Sequence, residues 1–359
     1  MRIPDLRERL LSRENSQVLR GIAIIFIMLH NFLHLKMFGF SAENEMSFLP
    51  ERASSFFAAL AGGSHLTAEF FSHLGWIGVG VFVFLTGYGV ALRQPPVNRE
   101  ETAAYVKRSY LKLLVLMLPA VLFFAVLDVF KGDLWPGLGK RFSYLTMLVN
   151  FAYPYLNCNP GVYWYFGLTF QFYLLWALFG RRMNGKNLLI WSAVFLVGLL
   201  GLNYFRPLKV LTIYRRCFPG WFLLFAAGVI LARFKSGNGS SSSKTSLGLE
   251  LLCFVLLFGM IFLCSRWMVP WVFLDFVALA WFLVFGLLIL RTRYLSAAFR
   301  WLGRLSACLF VCHPIARTLV LNAVYPRFQN LPSLVLIYLA LSIIIALCYQ
   351  MIYRRCVKR

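Results

Sequence analysis

The sequence predicts an all-α integral membrane protein, about ten transmembrane helices in one bundle with both termini cytoplasmic. Three observations lead there. Of the 359 residues 60% are hydrophobic and only 14% are charged, a composition far too apolar for a soluble domain of this size. The apolar residues fall in runs long enough to cross a hydrocarbon slab roughly 30 Å thick. The Lys and Arg residues behind the formal charge of +23 gather in short clusters between those runs, as topology signals do. No basic helix or arginine-rich domain stands ready to hold a nucleic-acid backbone, so nucleic acid is not the expected partner.

The apolar windows lie near 18–37, 74–93, 108–130, 161–180, 187–204, 218–233, 247–265, 270–290, 299–322 and 332–352. The first follows the basic stretch Arg2, Arg7, Arg9 and Arg13 and has no small-residue cleavage site, so it reads as a retained span. The second is crowded with Gly75, Gly78, Gly80, Gly87 and Gly89, which suit close helix packing rather than a nucleotide loop. Segment 142–156 is apolar but short and contains Pro154, which fits an interfacial or re-entrant piece. The connection 205–217 holds Arg206, Lys209, Arg215 and Arg216, either a contact for an anionic acceptor or a solvated loop end. Residues 236–246 form a Gly- and Ser-rich cytoplasmic linker. No appended domain is visible, so residues 1–359 read as a single integral-membrane domain.

An even number of spans puts both termini on one side. The connections sharing that side hold Arg93, Arg99, Lys107, Arg108, Arg181, Arg182, Lys186, Arg233, Arg291, Arg293 and Arg300, which marks it as cytoplasmic. The first outer connection, 38–73, carries Glu43, Glu45, Glu51 and Glu69 instead. Eight scattered cysteines, none in a Cys-x-x-Cys pair, read as small buried apolar residues.

The chemistry concentrates in the first span, where Arg20 stands at the entrance and His30 and His34 near the far end. On a helix His30 lies roughly 15 Å and His34 roughly 21 Å beyond Arg20, which places His30 near mid-membrane. Ionisable groups at that depth face a bundle interior or a water-filled cavity. Two readings of His30 stand at this point, a functional imidazole or a neutral one bonded to a neighbouring helix. No Glu follows His30 in a His-Glu-x-x-His pattern, so no metal site is expected. His313 precedes Pro314 in the ninth span, where it either joins the site or bonds a carbonyl that the proline frees. Asp128 and Asp275 read as partners for basic residues, and His65 and His73 as water-facing. Trp135, Trp164, Trp221, Trp267 and Trp271 fall near span ends, where aromatic belts form.

Five patterns in order carry a family resemblance. Leu19-Arg20-Gly21-Ile22-Ala23 through His30 resembles the first span of the membrane-bound acyltransferase 3 family, with its arginine and deeper histidine. Gly75-Trp76-Ile77-Gly78-Val79-Gly80-Val81-Phe82-Val83-Phe84-Leu85-Thr86-Gly87-Tyr88 resembles the second span, with Thr86 at a serine position. Arg108 with Lys112 is similar to the basic entrance of the third. The run 164–174 resembles a Trp-x-Leu-x-x-Glu signature, and 302–313 a Leu-Gly-x-x-Ser motif ending in histidine. Three departures accompany these matches. His30 stands ten rather than eleven positions after Arg20, so Arg20 is rotated about 80° from His30 and about 40° from His34, and both histidines stay in play. Thr169 replaces the signature glutamate, and Lys112 lacks a guanidinium fork.

The resemblance implies transfer of an acyl group, usually acetyl, from cytoplasmic acetyl-CoA or another acyl-CoA to a hydroxyl of a cell-envelope glycan or lipid-linked sugar. It implies His30 or His34 as the catalytic histidine, with Arg20, Arg108 and Lys112 on the coenzyme A phosphates. The acyl-CoA is then a donor substrate, no cofactor is tightly bound, and the location is the inner or plasma membrane. The same spans and histidines also fit a transporter or flippase for a lipid-linked or sugar substrate. That class predicts paired broken helices in the two halves, and none is legible.

Overall fold

Hydrocarbon offers the backbone no hydrogen-bonding partner, so a chain this apolar satisfies its amides within helices. A computed structural model describes residues 9–132, 134–151, 161–234 and 246–357. Among the described residues 84% are helical and none is in a strand. In chain order the helices are α1 (Ser16–Leu33), α2 (Pro50–Gly62), α3 (Leu66–Leu74), α4 (Gly78–Ala91), α5 (Arg99–Phe130), α6 (Leu134–Leu145) and α7 (Trp164–Phe179). They continue as α8 (Gly185–Phe205), α9 (Leu208–Arg216), α10 (Phe222–Arg233), α11 (Leu247–Arg266), α12 (Leu274–Leu290), α13 (Arg293–Leu319) and α14 (Leu331–Val357).

Eight of the described segments are long and apolar enough to cross a membrane, nine when α9 and the Phe218–Arg233 segment, bent by 63°, count as one span. The remaining expected span is α12, apolar but only 17 residues long. The second span begins earlier than its apolar window, because α3, one 3₁₀ turn and α4 form a continuous stretch, Leu66–Ala91. Glu69 and His73 lower the local hydropathy and hide that start. Of the expected linker, 236–245 lies outside the described residues, as does 152–156 of the segment near Pro154. Ser246 caps α11, its Oγ accepting from the Leu249 amide at 3.3 Å.

The chain divides into two compact units, Met1–Pro95 with Leu178–Arg304, and Pro96–Ala177 with Leu305–Arg359. In the first, glycines let helix backbones meet. Gly87 of α4 lies against the Phe225 backbone of α10, and Gly228 of α10 lies against Phe84 of α4, each where a β-carbon would clash. A β-carbon on Gly78 would stand 2.7 Å from the Ala23 carbonyl oxygen of α1.

Arg215 locks the same unit and is neither a loop-end charge nor an accessible acceptor contact. It is 1% exposed, with Nη1 2.7 Å from Asp275 Oδ2 and Nε donating to the Glu45 carbonyl at 2.9 Å. Its guanidinium carbon lies 4.5 Å from the Trp221 ring centroid, 5.3 Å from Trp271 and 5.6 Å from Trp76. Helix α9 swings Arg215 and Arg216 into the interior, while Arg206 and Lys209 remain exposed. Trp164, Trp221 and Trp271 are likewise buried rather than part of a belt. The Trp221 and Trp271 indole N–H groups find internal carbonyls at Arg215 and Asn44, so neither needs the interface. Trp267 is exposed as expected, and the Trp135 side chain lies outside the described residues.

In the second unit, Asn98 caps α5 by accepting from the Glu101 amide at 2.8 Å. Asp128 pairs with Arg141 at 2.7 Å, as Asp275 does with Arg215, which is the partner role expected of both acids. The Tyr349 hydroxyl of α14 donates to the Val115 carbonyl of α5 at 2.7 Å.

Candidate active site

The end of α1 assembles the histidines. His30 is buried, and His34 is the half-buried residue that caps the helix. The His30 Nδ1 lies 3.1 Å from the Phe71 carbonyl oxygen of α3, and the His34 Nδ1 lies 2.7 Å from the His30 carbonyl oxygen. A carbonyl only accepts, so each Nδ1 carries the proton and each Nε2 keeps a lone pair. The two rings stack with centroids 4.6 Å apart and planes 11° from parallel.

The seat under His30 is the C-terminal end of α3. There the Phe71 carbonyl accepts from the capping Gly75 amide as well as from the imidazole. Gly75 carries no side chain where a β-carbon would lie 2.8 Å from His30 Cβ and 3.0 Å from the Phe26 carbonyl oxygen. Glycine at 75 is therefore what lets α3 reach the imidazole.

His73 departs from expectation. It is 1% exposed, its Nδ1–H donates to the Ala42 carbonyl at 2.7 Å, and its ring stacks on Phe56 at 4.2 Å. It also lies within electrostatic reach of His30. Glu69, Ser72 and His73 recur at helical spacing just before the glycine-rich span, and that period was the available signal for a buried polar face. His65 is exposed, as expected.

Arg20 is half-buried on α1, ten residues before His30. Arg108 and Lys112 are exposed, one turn apart on α5 in the second unit. Thr169 is buried and spends its hydroxyl on the Tyr165 carbonyl at 2.8 Å. His313 is fully buried in the second unit, its Nδ1–H donating to the Leu309 carbonyl at 3.0 Å. The Phe310 carbonyl, which Pro314 deprives of a donor, is a second backbone partner of the same ring, as expected of a histidine placed just before that proline. Among the described residues no group of three or more His, Cys, Asp or Glu is placed to hold a metal ion.

Span-length helices, the first of them ending in the buried His30 and the half-buried His34 stacked on it, define a multi-pass membrane protein with a polar cluster at that helix end. A family model described as an acyltransferase domain matches residues 14–351, essentially the whole chain, and the protein belongs to that family, the membrane-bound acyltransferases of type 3. It is a membrane acyltransferase of the O-acetyltransferase-like kind. No curated protein and no solved structure matches the chain.

Proposed function

We propose that the protein moves an acyl group, acetyl in the simplest case, from cytoplasmic acyl-CoA to a hydroxyl of a cell-envelope glycan or lipid-linked sugar, in the inner or plasma membrane. What supports this is His30: a buried imidazole on a membrane-length helix whose Nδ1–H is committed to Phe71, leaving Nε2 to take a proton. The acceptor hydroxyl oxygen bonds to the thioester carbonyl carbon as the carbon–sulfur bond breaks. The hydroxyl proton passes to His30 Nε2 and then to the departing sulfur, leaving an ester and free coenzyme A.

Arg20, Arg108 and Lys112 are the proposed partners of the coenzyme A phosphates. Their cations suit charge-assisted hydrogen bonds to phosphate, bidentate for the two arginines and point-like for Lys112. His34, stacked on His30, supports that ring and is the second catalytic candidate.

Radiolabelled acetyl-CoA supplied to membranes from cells expressing each variant tests the reading. His30→Ala is expected to lower label transfer into envelope glycan by about 10²-fold or more, the usual worth of a positioned general base, and His34→Ala to have a smaller effect. Full transfer in both variants would refute the histidine assignment. Transfer in neither wild type nor variants, with intact protein, would refute acetyl-CoA as donor.

A further inference from the structure

The chain leaving α1 folds back onto the helix that holds His30. Within one turn of α3, three buried side chains grip the segment Ser41-Ala42. The Ser41 amide donates to Glu69 Oε2 at 2.9 Å, the Ser72 hydroxyl donates to the Ser41 carbonyl at 2.7 Å, and the His73 Nδ1–H donates to the Ala42 carbonyl at 2.7 Å. Phe71, whose carbonyl fixes the His30 imidazole, sits between them in the same turn. Residues 30 and 41–42 are thus tied to one turn of one helix, and the intervening chain closes a ring through the candidate active site.

Glu69 stands out in this arrangement. It is a carboxylate 8% exposed in a span-length apolar segment, where ionisable groups are costly and kept for a reason. A carboxylate accepting from a backbone amide makes a stronger bond than a neutral acceptor does. It is the one side chain of the three that accepts, so it satisfies the Ser41 amide while Ser72 and His73 satisfy the neighbouring carbonyls. Removing it leaves a buried amide unpaired and loosens all three bonds together.

We propose that Glu69 is a positioning residue for His30: by clamping Ser41 to α3 it holds the Phe71 carbonyl against Nδ1, so that Nε2 stays the proton acceptor and stays aimed. This rests on the reading of His30 as the group that takes the acceptor's proton. A displacement of about 1 Å at such a group lowers the rate of chemistry by up to about 10²-fold without loosening the donor's hold.

The test compares Glu69→Ala, Glu69→Gln and His30→Ala in the full-length protein in membranes, with acetyl-CoA as donor, following kcat, KM for acetyl-CoA and thermal unfolding. Glu69→Ala is expected to lower kcat at least tenfold with KM for acetyl-CoA within about twofold of wild type. Glu69→Gln keeps an acceptor oxygen for Ser41 and is expected to recover kcat to within about threefold. If Glu69→Gln is folded yet as impaired as Glu69→Ala, the carboxylate acts by its charge and the positioning role is wrong. An unchanged kcat in Glu69→Ala, or a change confined to KM, also overturns it. Should His30→Ala retain full activity, the reading of His30 falls, and that result is separate from any outcome at Glu69.

Discussion

A β-carbon added to Gly75 would stand 2.8 Å from the β-carbon of His30, closer than real β-carbons approach their neighbours. The residue that ends α3 therefore sets how near the Phe71 carbonyl comes to the imidazole.

Gly75→Ala is accordingly expected to push α3 and α1 apart. Neither neighbour is the tip of a flexible side chain, since the added atom meets His30 Cβ and the Phe26 backbone. Overpacking of this kind costs about 1–3 kcal/mol. Activity should fall at least tenfold while the protein still folds, read by label transfer alongside thermal unfolding.

Arg215 and Asp275 form a buried pair, and removing one partner strands the other. Arg215→Met alone should destabilise by about 3–5 kcal/mol, whereas Arg215→Met with Asp275→Leu should recover a substantial part of that loss. Unfolding midpoints of the two single variants and the double variant in one detergent check this. Strictly additive losses would show that the pair does not act as a unit.

Burial pushes the Glu45 carboxyl up from its ordinary value of 4.5 to about 8; Glu43 adds to the shift, and Arg215 and Arg216 oppose it. Between those two values the folded protein holds a proton that the unfolded chain has released, so stability falls as pH rises from 4.5 through 8. Glu45→Gln removes that dependence. Its unfolding temperature relative to wild type should rise by a few degrees between pH 5 and 9, and parallel curves across that range would contradict the assignment.

Gly87→Leu should prevent α4 from meeting α10, because its side chain would enter the Phe225 backbone. A loss of at least about 3 kcal/mol, or failure to accumulate in the membrane, is expected. Gly89→Leu is the control, for nothing lies within 4 Å of a β-carbon there, and it should accumulate normally.

Much of the fold was legible because it is local. Apolar runs, their length and the punctuation by Lys and Arg are properties of neighbouring residues, and each of the ten expected windows contains a helix. The glycines of the second span announced close packing, and Gly75, Gly78, Gly80 and Gly87 each pack closely. The fates of the polar residues were less legible. Arg215 looked like a loop-end charge, and only its distant partners make it interior: Asp275 lies 60 residues away and Glu45 170. His73 looked water-facing because its acceptor, the Ala42 carbonyl, is 31 residues earlier in the chain.

By itself, the sequence determined a helical membrane protein, its acyltransferase family and the first span as the place to look for a histidine. Tertiary structure alone decided that His30 is buried with Nδ1 bound to α3, that His73 and Glu69 lie inside, and that Arg215 is sealed among three tryptophans. Hydrophobic periodicity acts over a turn or two of helix and is written in adjacent residues. The pairing that makes a charge or an imidazole tolerable away from water is made between segments far apart in the chain, and exists only once they have packed.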